Sequence, residues 1–73
     1  MNPITDRQRE VLDAISVFTE NHHYAPTVRE LCEILGLASS CTAQRHLEAL
    51  QRKGWITREP QRARTIRVLR SAA

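Results

Sequence analysis

Residues 27–54 read TVRELCEILGLASSCTAQRHLEALQRKG, and the punctuation of this stretch decides the fold. Thr27 followed three residues later by Glu30 is a capping box: the hydroxyl takes the amide of the third helical residue and the carboxylate reaches back. Leu31, Ile34 and Leu35 then recur at helical spacing, which predicts a short helix with one apolar face. Gly36 falls where a left-handed residue ends a helix, and Leu37-Ala38 make a tight turn. Ser39 or Ser40 caps a third helix running to about Lys53, with Ala43, Leu47 and Leu50 turned inward, and Gly54 stops it.

Upstream, Thr5 and Gln8 form another capping box, and Val11, Leu12, Ile15 and Phe18 make one buried stripe over about residues 6–21. His22 and His23 end that helix; neighbours on a helix point apart, so they read as a solvated helix end rather than a metal pair. Tyr24-Ala25-Pro26 is an extended connector, because Ala25 precedes a proline. Downstream the period changes to two. Trp55-Ile56-Thr57-Arg58 and Thr65-Ile66-Arg67-Val68 read as short strands around the polar turn 59–64, with Ile66 and Val68 facing the helices and Thr65 and Arg67 facing water. Trp55 reads as a core lid, and residues 71–73 as a frayed end. The expectation is a mainly α chain with a small β-hairpin: one domain over 1–73, a three-helix winged helix-turn-helix with its helix-turn-helix at 27–53 and its wing hairpin at 55–69.

Composition narrows the function. A chain of 73 residues with 41% hydrophobic and 26% charged residues is too apolar for intrinsic disorder. No run approaches the ~18 apolar residues of a membrane span, and no charged-then-apolar start suggests a signal peptide. A chain this short is expected to have no room for a catalytic pocket of about 300 Å³ or more. No nucleophile–base–orienter set stands out, so no enzyme is expected, and no small-molecule ligand or cofactor is evident. Cys32 and Cys41, nine apart, lack the paired spacing of a zinc site, so no metal is expected and both thiols read as reduced in the cytoplasm.

Charge is divided unevenly. Residues 1–51 hold four Arg against seven acids, whereas residues 52–73 hold six Arg and Lys53 against Glu59 alone. Such asymmetry points to a polyanion engaged mainly by one end of the molecule, and arginine forks suit phosphates and guanine edges. The second helix of a helix-turn-helix enters the major groove of double-stranded DNA. Its outward face here carries Cys41, Gln44 and Arg45, led in by Ser39, Ser40 and Thr42, small hydrogen-bonding residues that let the backbone approach bases closely. Arg45 suits guanine and Gln44 suits adenine, each by a bidentate pair. Thr27, Arg29, Arg52 and Lys53, with Arg62 and Arg64 at the hairpin tip, form the backbone-contacting set. Cys41 reads as a serine-like spacer, with an oxidisable sensor as the alternative.

Five quoted segments then carry a resemblance: Ile4-Thr5-x-Arg7-Gln8-x-x-Val11-Leu12, the run Tyr24 to Leu31, the run Leu35 to Ser40, His46-Leu47-x-x-Leu50-x-x-Lys53-Gly54-x-Ile56, and Arg64-x-Ile66. In that order they resemble the N-terminal winged helix-turn-helix domain of the LexA repressor family. The resemblance implies a bacterial or phage transcriptional repressor of the DNA-damage (SOS) response, cytoplasmic and nucleoid-associated. It implies a palindromic operator read by Ser39, Cys41, Thr42, Gln44 and Arg45, with wing contacts at Arg62 and Arg64 and Lys53 on the backbone. The family continues into a self-cleaving, dimerising peptidase domain with a scissile Ala-Gly bond; these 73 residues contain no Ala-Gly pair and read as an excised domain or a stand-alone relative. A homodimer formed on DNA would then pair through wing or terminal contacts. The competing reading is a winged-helix protein-interaction module, an antirepressor or adaptor whose partner binding ignores competitor DNA.

Overall fold

A computed structural model of the chain describes residues 4–59 and 61–69. Three helices, α1 (Asp6–His22), α2 (Val28–Leu35) and α3 (Ser40–Arg52), precede a two-stranded antiparallel hairpin, β1 (Ile56–Thr57) and β2 (Arg67–Val68), with Ile56 opposite Val68 and Thr57 opposite Arg67. This is a winged helix-turn-helix. Residues 71–73 and Pro60 of the wing turn lie outside the described residues.

Both capping boxes form. The Gln8 amide donates to Thr5 Oγ1 and the Thr5 amide to Gln8 Oε1, each at 3.1 Å. The Glu30 amide donates to Thr27 Oγ1 at 3.1 Å and the Thr27 amide to Glu30 Oε1 at 2.8 Å. Gly36 ends α2 at φ +68°, and the Leu37 amide reaches Cys32 O at 2.9 Å. A side chain there would meet nothing within 4 Å, so the demand for glycine is conformational rather than spatial. Ser39 is the cap of α3, its Oγ accepting from the Cys41 amide at 3.1 Å, and it turns the chain into a helix whose amides face outward. Gly54, at φ +83°, closes α3 and directs the Trp55 amide to Leu50 O at 2.9 Å.

The core collects one face from every element: Val11, Leu12 and Ile15 of α1, Leu31 of α2, Leu47 and Leu50 of α3, Ile56 of the wing, and Ile66 beside its second strand. Each such side chain, taken out of water, stabilises by roughly 1.5–3 kcal/mol. Trp55 covers the junction of helices and wing, buried to 8% exposure. Ala43 of α3 is buried as well.

Local details depart from the sequence reading. Phe18 is half-buried outside the core and packs instead on His22 (4.2 Å between ring centroids) and Tyr24 (5.7 Å), because the last turn of α1 runs past the elements that cover its first turns. Ile34 is 53% exposed: α2 is short, and its last turn offers Leu35 to the core while Ile34 falls past the edge. The strands are two residues long rather than four. Thr65 replaces further ladder bonds, its hydroxyl accepting the Glu59 amide (2.9 Å) and donating to Glu59 O (3.0 Å), which also draws it into half-burial rather than leaving it in water. No helix among the described residues is long and apolar enough to cross a membrane.

Candidate nucleic-acid interface

Burial on α3 fixes what it shows to solvent. With Ala43, Leu47 and Leu50 inward, the opposite face presents Ser40, Cys41, Gln44, Arg45 and Glu48, all exposed, with Ser39 and Thr42 exposed at its start. Neither Gln44 nor Arg45 makes a side-chain hydrogen bond or ion pair to another described residue, so Arg45 is not tied to Glu48. The face is a rod of uncommitted donors about the width of a DNA major groove. His46 is half-buried beside it, on the packed flank.

The cations expected on the DNA backbone fall into two kinds. Arg29 on α2 and Arg52 in the last turn of α3 are exposed. Arg62 is exposed too, with a loose ion pair to Glu59 at 3.7 Å. Lys53 is half-buried and donates to Gln8 Oε1 at 2.8 Å, tying the end of α3 to the first turn of α1. Thr27 is half-buried and spends its hydroxyl oxygen and amide on the capping box, leaving its hydroxyl proton free to donate.

Arg64 lies differently from a side chain extended at a hairpin tip. Its backbone is left-handed, φ +60°, and its guanidinium turns back onto the body. Nη1 donates to Ala25 O (3.0 Å) and Glu30 Oε1 (3.0 Å), Nη2 to Glu30 Oε2 (3.3 Å), and Cζ stands 4.5 Å from the centre of the Tyr24 ring. The Thr27 backbone N–H first, and Arg64 second, hold the Glu30 carboxyl below its ordinary value of 4.5, against a smaller upward push from desolvation. The sequence reading treats Glu30 as half of a capping box and misses this second role. Nothing in local spacing signals a partner 34 residues away. Arg58 is a second omission: it is half-buried, its Nε has no partner among the described residues, and it lines the groove between the wing and Thr27 and Val28 at the start of α2.

A larger open groove, about 630 Å³, runs between α1 and the wing, lined by Ser16, Thr19, His23, Tyr24, Arg64 and Val68 among others. This exceeds what so short a chain is expected to wall; the wing and the end of α1 flank it and leave it open to solvent. Among the described residues no group of three His, Cys, Asp or Glu side chains is placed to hold a metal.

Comparison with known proteins agrees with this geometry. Residues 1–65 match the family described as the LexA DNA binding domain. LexA repressors of Bacillus mycoides, Bacillus cytotoxicus and Bacillus anthracis are each 42% identical over 69 residues, covering 94% of this chain and 34% of theirs. The chain thus spans about a third of the length of these curated relatives. It belongs to the LexA DNA-binding domain family.

Proposed function

We propose that this chain is the operator-reading part of a LexA-type transcriptional repressor, laying α3 in the major groove of a palindromic operator half-site of SOS type. Arg45 and Gln44 read base edges, and Ser39, Ser40, Cys41 and Thr42 bring the helix N-terminus close to bases and phosphates. Thr27, Arg29, Arg52, Lys53 and Arg62 hold the DNA backbone on either side, and two copies pair on the palindrome. The observation that carries this reading is the α3 face itself: exposed, hydrogen-bond-capable and, among the described residues, without side-chain partners at Gln44 and Arg45. The names of the relatives, LexA repressor, support regulation of transcription, and with it a place on the nucleoid.

Selection of duplexes from a random pool by the 73-residue chain tests it. A symmetric consensus is the expected result. Arg45→Ala should then weaken binding by about 1–3 kcal/mol and relax preference at one base pair per half-site, and Gln44→Ala at a neighbouring one. Four backbone cations per copy predict a log–log salt slope of about −3.6. Binding that is sequence-blind, or untouched by both substitutions, refutes the reading and leaves the interaction-module alternative.

A further inference from the structure

Besides the apolar contacts of Trp55, Ile56 and Ile66, the wing is tied to the body by the polar side chain of Arg64. Three groups from two elements converge on the Arg64 guanidinium: the Ala25 carbonyl and the Tyr24 ring of the connector, and both carboxylate oxygens of Glu30 in α2. Left-handed backbone is unfavourable for arginine, and such conformations persist where the surroundings over-determine them. Glu30 Oε1 serves two donors at once, the Thr27 amide at 2.8 Å and Arg64 Nη1 at 3.0 Å, so the cap of α2 and the seat of the wing share one atom. Next along the chain, Thr65 closes the wing loop on Glu59 and Arg62, and Ile66 enters the core. Arg62, two residues before Arg64, is left exposed, its one side-chain partner among the described residues being the loose Glu59 pair.

We propose that Arg64 is a positioning residue: latched on Glu30, Ala25 and Tyr24, it seats the wing against the start of α2 and thereby fixes where Arg62 meets the DNA backbone. The inference rests on the reading of the wing as a DNA contact, and it removes Arg64 itself from the set that touches phosphate. Two substitutions separate the roles. Glu30→Gln keeps the capping box, since Gln8 fills the same position in α1 of this molecule, but it deletes the charge that holds the fork. Removing a carboxylate from a DNA-binding face would by itself tighten binding; the latch predicts weaker binding. Arg64→Lys keeps a positive charge for a phosphate but loses the planar, two-pronged geometry.

The experiment measures affinity of wild type, Glu30→Gln, Arg64→Lys and the double variant for one duplex selected by the wild-type chain. It is run well below each unfolding midpoint, with helicity checked by circular dichroism. Each single variant should bind about tenfold more weakly, on the scale of one charged hydrogen-bonded contact, and the double variant no more weakly than the worse single. A role confined to stability would shift the unfolding midpoint and leave these affinities unchanged. On the wild-type chain alone, nitrogen relaxation should show a fixed Arg64 Nε and a mobile Arg62 Nε. Unchanged or tighter binding by Glu30→Gln, wild-type binding by Arg64→Lys, or a mobile Arg64 overturns the latch while the DNA-binding reading stands. Failure of the wild type to select any duplex overturns that reading, and the positioning role with it.

Discussion

Arg45 and Arg64 carry the same side chain on the same small domain, and the fold treats them in opposite ways. Arg45 projects from α3 into solvent with no partner among the described residues, although Glu48 stands one turn on at the spacing where Arg7 and Glu10 do pair. Arg64 comes from a loop beside two acceptors and a ring, and it is taken up by all three. What a basic residue does here is set by which carboxylates and carbonyls the chain brings beside it, and net charge does not reveal that. One arginine is therefore left facing solvent, and the other is closed onto the body of the domain.

The contrast depends first on α3 staying rigid behind Arg45. Leu47 is fully buried on the reverse of that face. Leu47→Ala should lower the free energy of unfolding by about 2–5 kcal/mol in chemical denaturation, the range for truncating a core leucine. A smaller loss would mean that α3 is held by something other than its packed flank. Next, the two arginines should separate in stability. Arg64→Ala should lower the thermal midpoint visibly, while Arg45→Ala should leave it nearly unchanged, its effect on the free energy of unfolding staying within the ±0.5 kcal/mol or so typical of surface changes. Equal midpoints would erase the distinction.

Much of this arrangement is legible from residues close in sequence. The capping boxes at Thr5 and Thr27, the left-handed Gly36, a cap of α3 at Ser39 or Ser40 and the inward trio Ala43, Leu47 and Leu50 all rest on rules spanning three to seven residues. The exposed face of α3, the centre of the candidate site, is legible for the same reason. Phe18 and Ile34 are not: periodicity says which side of a helix is apolar, but not how far along it the rest of the domain extends. Nor is the Arg64–Glu30 contact, which depends on how the wing returns to α2 and on a backbone angle that arginine rarely adopts.

Acid provides a finer cut, because the two capping boxes differ in one atom. Glu30 titrates and Gln8 does not. A carboxyl held below its ordinary 4.5 in the folded chain contributes stability that is complete above the unfolded value and is lost as pH falls through the folded one. Lowering the pH from 6 toward 3 should therefore shift the Thr27 amide resonance and loosen the wing, and should shift it more than the Thr5 amide, whose capping partner Gln8 does not titrate. Glu30→Gln should remove that pH dependence. Amides that move together would place the acid response in another carboxylate.

The smallest effect is expected on the open face itself, at Cys41. The thiol is exposed in the first turn of α3, and its amide is already used by the Ser39 cap. If its task is to be small beside the groove, Cys41→Ser replaces sulfur by a hydroxyl of similar reach and should leave affinity within about twofold, a few tenths of a kcal/mol. Alkylation adds bulk at the same point and should block binding, because the helix can no longer approach base edges. Those two results together define a spacer whose chemistry is incidental and whose size matters. A loss on Cys41→Ser comparable to that of Arg45→Ala would instead make the sulfur a reader in its own right, and retained binding after complete alkylation would put Cys41 outside the groove.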